Sequence, residues 1–171
     1  VFENHGLAPD DVKSLEEIPK LPFTEKSDLI AEYPYGMCAA QPSEIIRVHA
    51  SSGTTGKPIN TYYTRKDEEE WTERMGRNLR IAGVTRDDVC QIAFRYTLFT
   101  GAFGHHLGAQ RCGAMVIPTS SGQTERQIMM MRDLKTTVIH CTPSYAIVLA
   151  EKLRELGIDS RDLSLRLGIH G

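Results

Sequence analysis

The sequence predicts an α/β fold, a mostly parallel sheet with flanking helices. Three observations predict it. From Val89 onward, short β-branched runs alternate with helical stretches. Those runs are almost continuously apolar, as strands buried on both faces are. Gly83, Gly113 and Gly157 stand where successive helices would stop.

Taken in order, residues 1–44 read as an N-terminal arm and residues 45–171 as the α/β part. Gly6, Pro9, Pro19 and Pro22 break the start of the arm into short apolar pieces, which suggests a packed segment without regular elements. Thr24 is the expected N-cap of a short helix reaching about Glu32, which Pro34 ends. Residues 35–44 read as a loop. Residues 45–49 read as a strand by their β-branched content. With the β-rich Thr61–Thr64 they frame a hairpin around a Ser/Gly/Thr loop. Residues 67–82 carry the clearest helical pattern. Four acidic residues load the first turn, and Trp71, Met75, Leu79 and Ala82 form one apolar stripe. Strands are then expected at 89–94, 114–118, 137–141 and 165–169. Helices are expected at 102–112, at 123–134 (capped by Thr124 or a neighbour) and at 144–156 (Thr142 or Ser144 at its start).

Composition narrows the classes of function. The chain has 171 residues with 40% hydrophobic and 25% charged, and a net charge of −2 with the signs interspersed. That is ordinary globular usage, without the basic face of a nucleic-acid binder. No apolar run approaches the roughly 20 residues of a membrane span, and the first residues do not read as a signal peptide. Cys38, Cys90, Cys112 and Cys141 lack C-x-x-C or zinc-finger spacing and read as reduced thiols of a cytoplasmic protein. The absence of an initiator Met and a last strand that runs to the final residues lead us to expect a piece of a longer chain.

The chemistry concentrates in Ser51-Ser52-Gly53-Thr54-Thr55-Gly56-Lys57-Pro58. Gly53 and Gly56 permit positive φ and close approach of backbone N–H groups to an anion. Ser51, Ser52, Thr54 and Thr55 add hydroxyl donors, and Lys57 adds a mobile positive charge. The pattern suits a polyphosphate. It is not a Walker A loop, which needs G-x-x-x-x-G-K-[ST] entering a helix. A polar connection between two strands would have the same composition.

This motif resembles the phosphate-binding motif of the adenylate-forming superfamily, which includes acyl-CoA synthetases, peptide-synthetase adenylation domains and luciferases. Leu21–Leu29, Arg47–Ala50, Tyr63–Asp67, Leu98–Gly101, Val116–Pro118, Thr124–Gln127 and Thr142–Tyr145 resemble the phenylacetate–CoA ligase family, in order and over nearly the whole chain. The resemblance implies part of the N-terminal AMP-binding domain of an acid–CoA ligase. Such an enzyme uses ATP, Mg²⁺ and coenzyme A to convert an aryl acid, phenylacetate by expectation, through an acyl-adenylate to its thioester. The fragment alone would be inactive, because the Mg²⁺ and adenine ligands and the family's C-terminal catalytic Lys would lie outside it. The resemblance assigns Ser51–Lys57 to the ATP phosphates, with Lys57 as the catalytic cation. It assigns Tyr96, Phe99, Thr100, Gly101, Tyr145, His170 and Gly171 to the substrate pocket.

Each pocket assignment also has a packing explanation, capping for Thr142-Pro143-Ser144-Tyr145 and helix–sheet contact for residues 96–104. His105 and His106 are neighbours about 100° apart on a helix, so they do not easily serve one metal site; one is expected to face the active site and the other to be structural. His170 departs from the apolar or aromatic residue the resemblance leads one to expect. Two other readings remain: an adenylating enzyme that passes its acyl group to a carrier protein or amine, and a non-catalytic nucleotide-binding module. No nucleic-acid or membrane partner is expected, and a homodimer of the full-length protein is one assembly the reading allows.

Overall fold

Prolines keep the first forty-odd residues out of long elements. In the computed structural model, which describes residues 5–51 and 56–171, they form short 3₁₀ turns at Pro9–Asp11, Leu15–Lys20 and Pro42–Glu44, and one helix, α1 (Lys26–Ala31). Turns this brief give no continuous apolar face. The packed arm that the sequence suggests is therefore not seen, and Leu15, Ile18 and Phe23 are exposed. The cap of α1 also differs from expectation. Glu25, not Thr24, is the N-cap, because the Asp28 carboxylate accepts the Glu25 N–H at 2.8 Å.

The texture change at Ile45 coincides with strand β1 (Ile45–Ala50), which pairs with β2 (Asn60–Thr64) in a two-stranded sheet. The chain divides into two compact units between Tyr62 and Tyr63, inside β2.

The second unit opens on helix α2 (Arg65–Ile81). Its start is a reciprocal cap: the Thr64 hydroxyl oxygen accepts the Asp67 N–H, and the Asp67 carboxylate accepts the Thr64 N–H. Gly83, at φ +96°, closes it. The chain then alternates through β3 (Val89–Ile92), α3 (Gly101–Arg111), β4 (Met115–Ile117), α4 (Thr124–Asp133), β5 (Val138–Cys141), α5 (Pro143–Glu155) and β6 (Leu167–His170). The four strands form one parallel sheet in the order β4-β3-β5-β6. This is the predicted α/β arrangement, with element ends within two or three residues of those read from the sequence.

Period-2 alternation divides the core between the two faces of the sheet. Cys90 and Val138 pack with Leu79 of α2 and Ala109 of α3. Ala93, Ile139 and Cys141 pack with Ile128 and Met131 of α4 and Leu149 and Leu153 of α5. Ala82, which the apolar stripe of α2 would place inside, is exposed, and Gly76 is buried instead. Ala82 is the C-cap, past the last turn of α2, whereas Gly76 lies where α2 and α3 cross closely. A Cβ on Gly108 would come within 2.9 Å of the Met75 Cβ, and one on Gly104 within 2.8 Å of the Trp71 ring.

A chain of buried polar side chains links the sheet to α4. Gln91 Nε2 donates to Gln127 Oε1 at 2.6 Å, Thr136 donates to Gln91 Oε1 at 2.9 Å, and Gln127 Nε2 donates to the Ser120 carbonyl. This relay anchors the loop before α4, where Ser120 and Gln123 take left-handed conformations. Gln123 is the N-cap of α4 and makes no side-chain cap bond.

Candidate functional site

The strand order creates a place for a ligand. The chain steps from β3 outward to β4 and then back to β5 on the other side of β3. The carboxyl ends of β3 and β5 therefore flank a topological switch point, where open α/β sheets bind ligands. A cavity of about 510 Å³ lies there. Its walls are Phe94 and Arg95 after β3, Gly101, Gly104 and His105 of α3, and Thr142 after β5. Trp71 and Met75 of α2 close one side, Phe99 and Thr100 another, and Gly171 follows β6. An apolar hollow with a few convergent polar groups suits an organic molecule with one polar end.

Four of the seven pocket residues expected from the sequence line this cavity: Phe99, Thr100, Gly101 and Gly171. The other three stand elsewhere. The Tyr96 hydroxyl lies 3.0 Å from His106 Nδ1, and its ring meets Phe103 edge-on. Burial pushes its pKa up to about 12. The Tyr145 hydroxyl donates to the Gly122 carbonyl at 3.3 Å and its N–H is capped by Thr142, which binds the residue to the start of α4 and α5. His170 Nδ1 lies 3.1 Å from the Cys141 carbonyl across the β5–β6 pair. The histidine doublet splits as helical geometry requires, His106 toward Tyr96 and His105 toward His140.

Sequence reasoning missed Trp71, Met75, Phe94 and Arg95 as cavity walls, and it expected one histidine of the doublet at the site without saying that it is His105. The spacing of Trp71 and Met75 on one face of α2 was a usable signal, but it reads equally as core.

In the first unit, the Ser51 N–H donates to the Ile59 carbonyl and the Ser51 hydroxyl oxygen accepts the Ile59 N–H, both at 3.0 Å. These bonds tie together the two ends of the loop joining β1 and β2. Gly56 has φ +137°, a backbone state that side chains rarely adopt. The Lys57 ammonium stands 5.4 Å from the centroid of the Tyr33 ring, a cation–π contact at an exposed position. Ser52, Gly53, Thr54 and Thr55 lie outside the described residues.

Among the described residues, no group of three or more His, Cys, Asp or Glu side chains is arranged to hold a metal. The four cysteines are free; burial pushes the Cys90 thiol up to about 12 and the Cys141 thiol up to about 11, so neither is a ready nucleophile. No helix among the described residues is long and apolar enough to cross a membrane.

No family model matches the sequence. Among curated proteins, the chain is 48% identical over 170 residues to a phenylacetate-coenzyme A ligase of Pseudomonas putida, covering 99% of this chain and 39% of that one. It is 45% identical over 171 residues to a phenylacetate-coenzyme A ligase of Escherichia coli K12, with the same two coverages. Among solved structures, a 2-hydroxyisobutyryl-CoA ligase in complex with 2-HIB-AMP and CoA, in the thioesterification state, superposes with a TM-score of 0.86 at 30% identity. That match covers 99% of this chain and 38% of the solved one. The chain thus spans about two-fifths of the length of the relatives it matches. By sequence along its whole length, and by fold, it belongs to the phenylacetate–coenzyme A ligase family.

Proposed function

We propose that the complete protein activates an aryl carboxylic acid of the phenylacetate class with ATP and transfers the acyl group to coenzyme A. The observation that carries this reading is 48% identity to a phenylacetate-coenzyme A ligase over 99% of the chain. Further support comes from the fold shared with a ligase bound to an acyl-adenylate and CoA, and from an apolar cavity at the switch point of the sheet.

In this reading Ser51–Lys57 hold the β- and γ-phosphates, the leaving group when the carboxylate attacks the α-phosphate. The contribution of the loop is positioning and charge neutralisation. The cavity takes the body of the acid: Trp71, Phe94 and Phe99 offer aromatic walls, and Gly101 and Gly104 leave room for a ring. Thioester formation by CoA thiolate then releases AMP. Magnesium would arrive with the nucleotide phosphates, and none of the described residues is assigned to it.

The test is acid-dependent ATP–pyrophosphate exchange by the complete protein with phenylacetate, benzoate and indoleacetate. Exchange with at least one is expected. Silence with all three would overturn the aryl-acid assignment.

A further inference from the structure

One polar pair at the cavity has no part in the mechanism above. His140 is wholly buried in the middle of β5, between Ile92 of β3 and Ile169 of β6. Its Nδ1 lies 3.0 Å from Nδ1 of His105, on α3. His105 stacks on Phe94, with ring centroids 5.0 Å apart, and lines the cavity.

Two imidazole Nδ1 atoms at this distance share one proton, so one ring donates and the other accepts. His140 Nε2 is buried and has no hydrogen-bond partner among the described residues. A proton there would be an orphaned buried donor, which proteins avoid more strictly than an idle lone pair. The proton of His140 therefore sits on Nδ1 and is donated to His105. His105 accepts at Nδ1 and carries its own proton on Nε2. Burial favours the neutral form of both rings, pushing His105 below the usual histidine value and His140 down to about 3, the latter with help from the neighbouring His105 and His170. His105 is thus a neutral, fixed donor whose second nitrogen remains for whatever enters.

Its place within the cavity decides what that donor meets. Arg95 and Thr97, on the loop after β3, are exposed, whereas Ala102 and Gly104, beside His105 on α3, are buried. The charged end of an acid is best served at the exposed side, where Arg95 is. The buried side, where the His105 donor stands among largely apolar walls, suits an uncharged acceptor.

We propose that His105 is a specificity-determining residue that selects aryl acids bearing a hydrogen-bond acceptor on the ring, such as a hydroxyl oxygen, with His140 as the positioning residue that fixes its tautomer. This rests on the aryl-acid reading of the cavity and narrows it.

The experiment measures binding of phenylacetate, 3-hydroxyphenylacetate and 4-hydroxyphenylacetate to the complete protein by calorimetry, so no turnover is needed. Wild type should bind at least one hydroxylated acid about tenfold more tightly than phenylacetate, the scale of one good neutral hydrogen bond. His105→Leu should bring the ratio to about one, and His105→Gln, which places an amide donor near the former Nε2–H, should keep a preference. His140→Leu should lower the ratio, and His140→Asn, which retains a donor near Nδ1, should restore it. In parallel, ¹⁵N-histidine spectra of the wild type should show the proton on Nε2 of His105 and on Nδ1 of His140. Equal affinity for all three acids in wild type, a ratio unmoved by His105→Leu, or the reversed tautomers would each overturn the proposal. Failure of ATP–pyrophosphate exchange alone would strike the proposed ligase activity and leave these readouts standing. Failure to bind any of the three acids would overturn both.

Discussion

Arg166 grips Asp88 with two hydrogen bonds across 78 residues of sequence, Nε to Oδ1 at 2.9 Å and Nη2 to Oδ2 at 2.5 Å. The same guanidinium donates to the Gly83 carbonyl, and the Thr137 hydroxyl donates to Asp88 Oδ1. The turn after α2 and the segments entering β3, β5 and β6 are therefore joined at one carboxylate. Asp88 is 4% exposed, so an amide there would lose the charge while keeping the shape. A buried ion pair with one partner removed costs about 3–5 kcal/mol, and Arg166 is half-exposed, which reduces this. Asp88→Asn should lower stability by about 2 kcal/mol, read as a fall in the urea midpoint at neutral pH with unchanged slope.

The same carboxylate sets an acid dependence. Burial alone would raise the pKa of Asp88, but the bonds from Arg166, Thr137 and Thr85 outweigh it and hold the group well below its ordinary 3.8. A group depressed in the folded state stabilises above its unfolded pKa and loses that contribution as pH falls toward its folded value. Wild type should therefore lose stability steeply below about pH 4. Asp88→Asn should show a shallower decline over the same window, in urea midpoints measured between pH 2 and pH 6. Parallel curves would remove Asp88 from the account of acid unfolding.

The α2–α3 crossing gives a prediction whose sign must be decided by magnitude. Ala in place of a mid-helix Gly normally stabilises by about 1 kcal/mol. At Gly108 the added Cβ would stand 2.9 Å from Met75 Cβ and 3.0 Å from the Met75 carbonyl carbon. Backbone cannot swing aside, and overpacking of this kind costs about 1–3 kcal/mol. Gly108→Ala should be net destabilising by about 1 kcal/mol, and Gly108→Val by more. Because Met75 is also a cavity wall, both should weaken binding of an aryl-acid probe. A stabilised Gly108→Ala would show that the two helices have slack.

Local rules made most of the second unit legible. The Thr64–Asp67 cap, the glycines after α2, α3 and α5, and the short apolar strands each signal themselves within a few residues. The Ser51–Lys57 string stands out for the same reason, its residue types being consecutive, and its phosphate role is the proposal made above. Contacts between elements were not. His105 and His140 lie 35 residues apart, and their meeting depends on how α3 crosses the sheet. Tyr96, Tyr145 and His170 sit beside the cavity in sequence terms, yet each side chain turns to a nearer partner: His106, the Gly122 carbonyl and the Cys141 carbonyl. Thr24 lost the capping role to Glu25 because Asp28 lies three residues after Glu25, the spacing a reciprocal cap needs.

Lys57 offers the most direct test of the proposed phosphate loop. Its ammonium rests over the Tyr33 ring at an exposed position, a contact worth about 0.5–1 kcal/mol. A hydrogen bond to a charged phosphate oxygen is worth about 1.5–3 kcal/mol, so a bound triphosphate would draw the side chain off the ring. Lys57→Ala in the complete protein should then lower kcat/KM for ATP by about tenfold to a hundredfold, the range set by losing that one interaction in the transition state. Gly53→Val should do at least as much by blocking the backbone approach. The urea midpoint of Lys57→Ala should shift by less than about 0.5 kcal/mol equivalent, as for other surface substitutions, which separates a binding role from a folding one. Unchanged ATP kinetics in both variants would reduce the loop to a plain connection between β1 and β2, and the ligase reading would have to stand on the cavity and the family likeness without it.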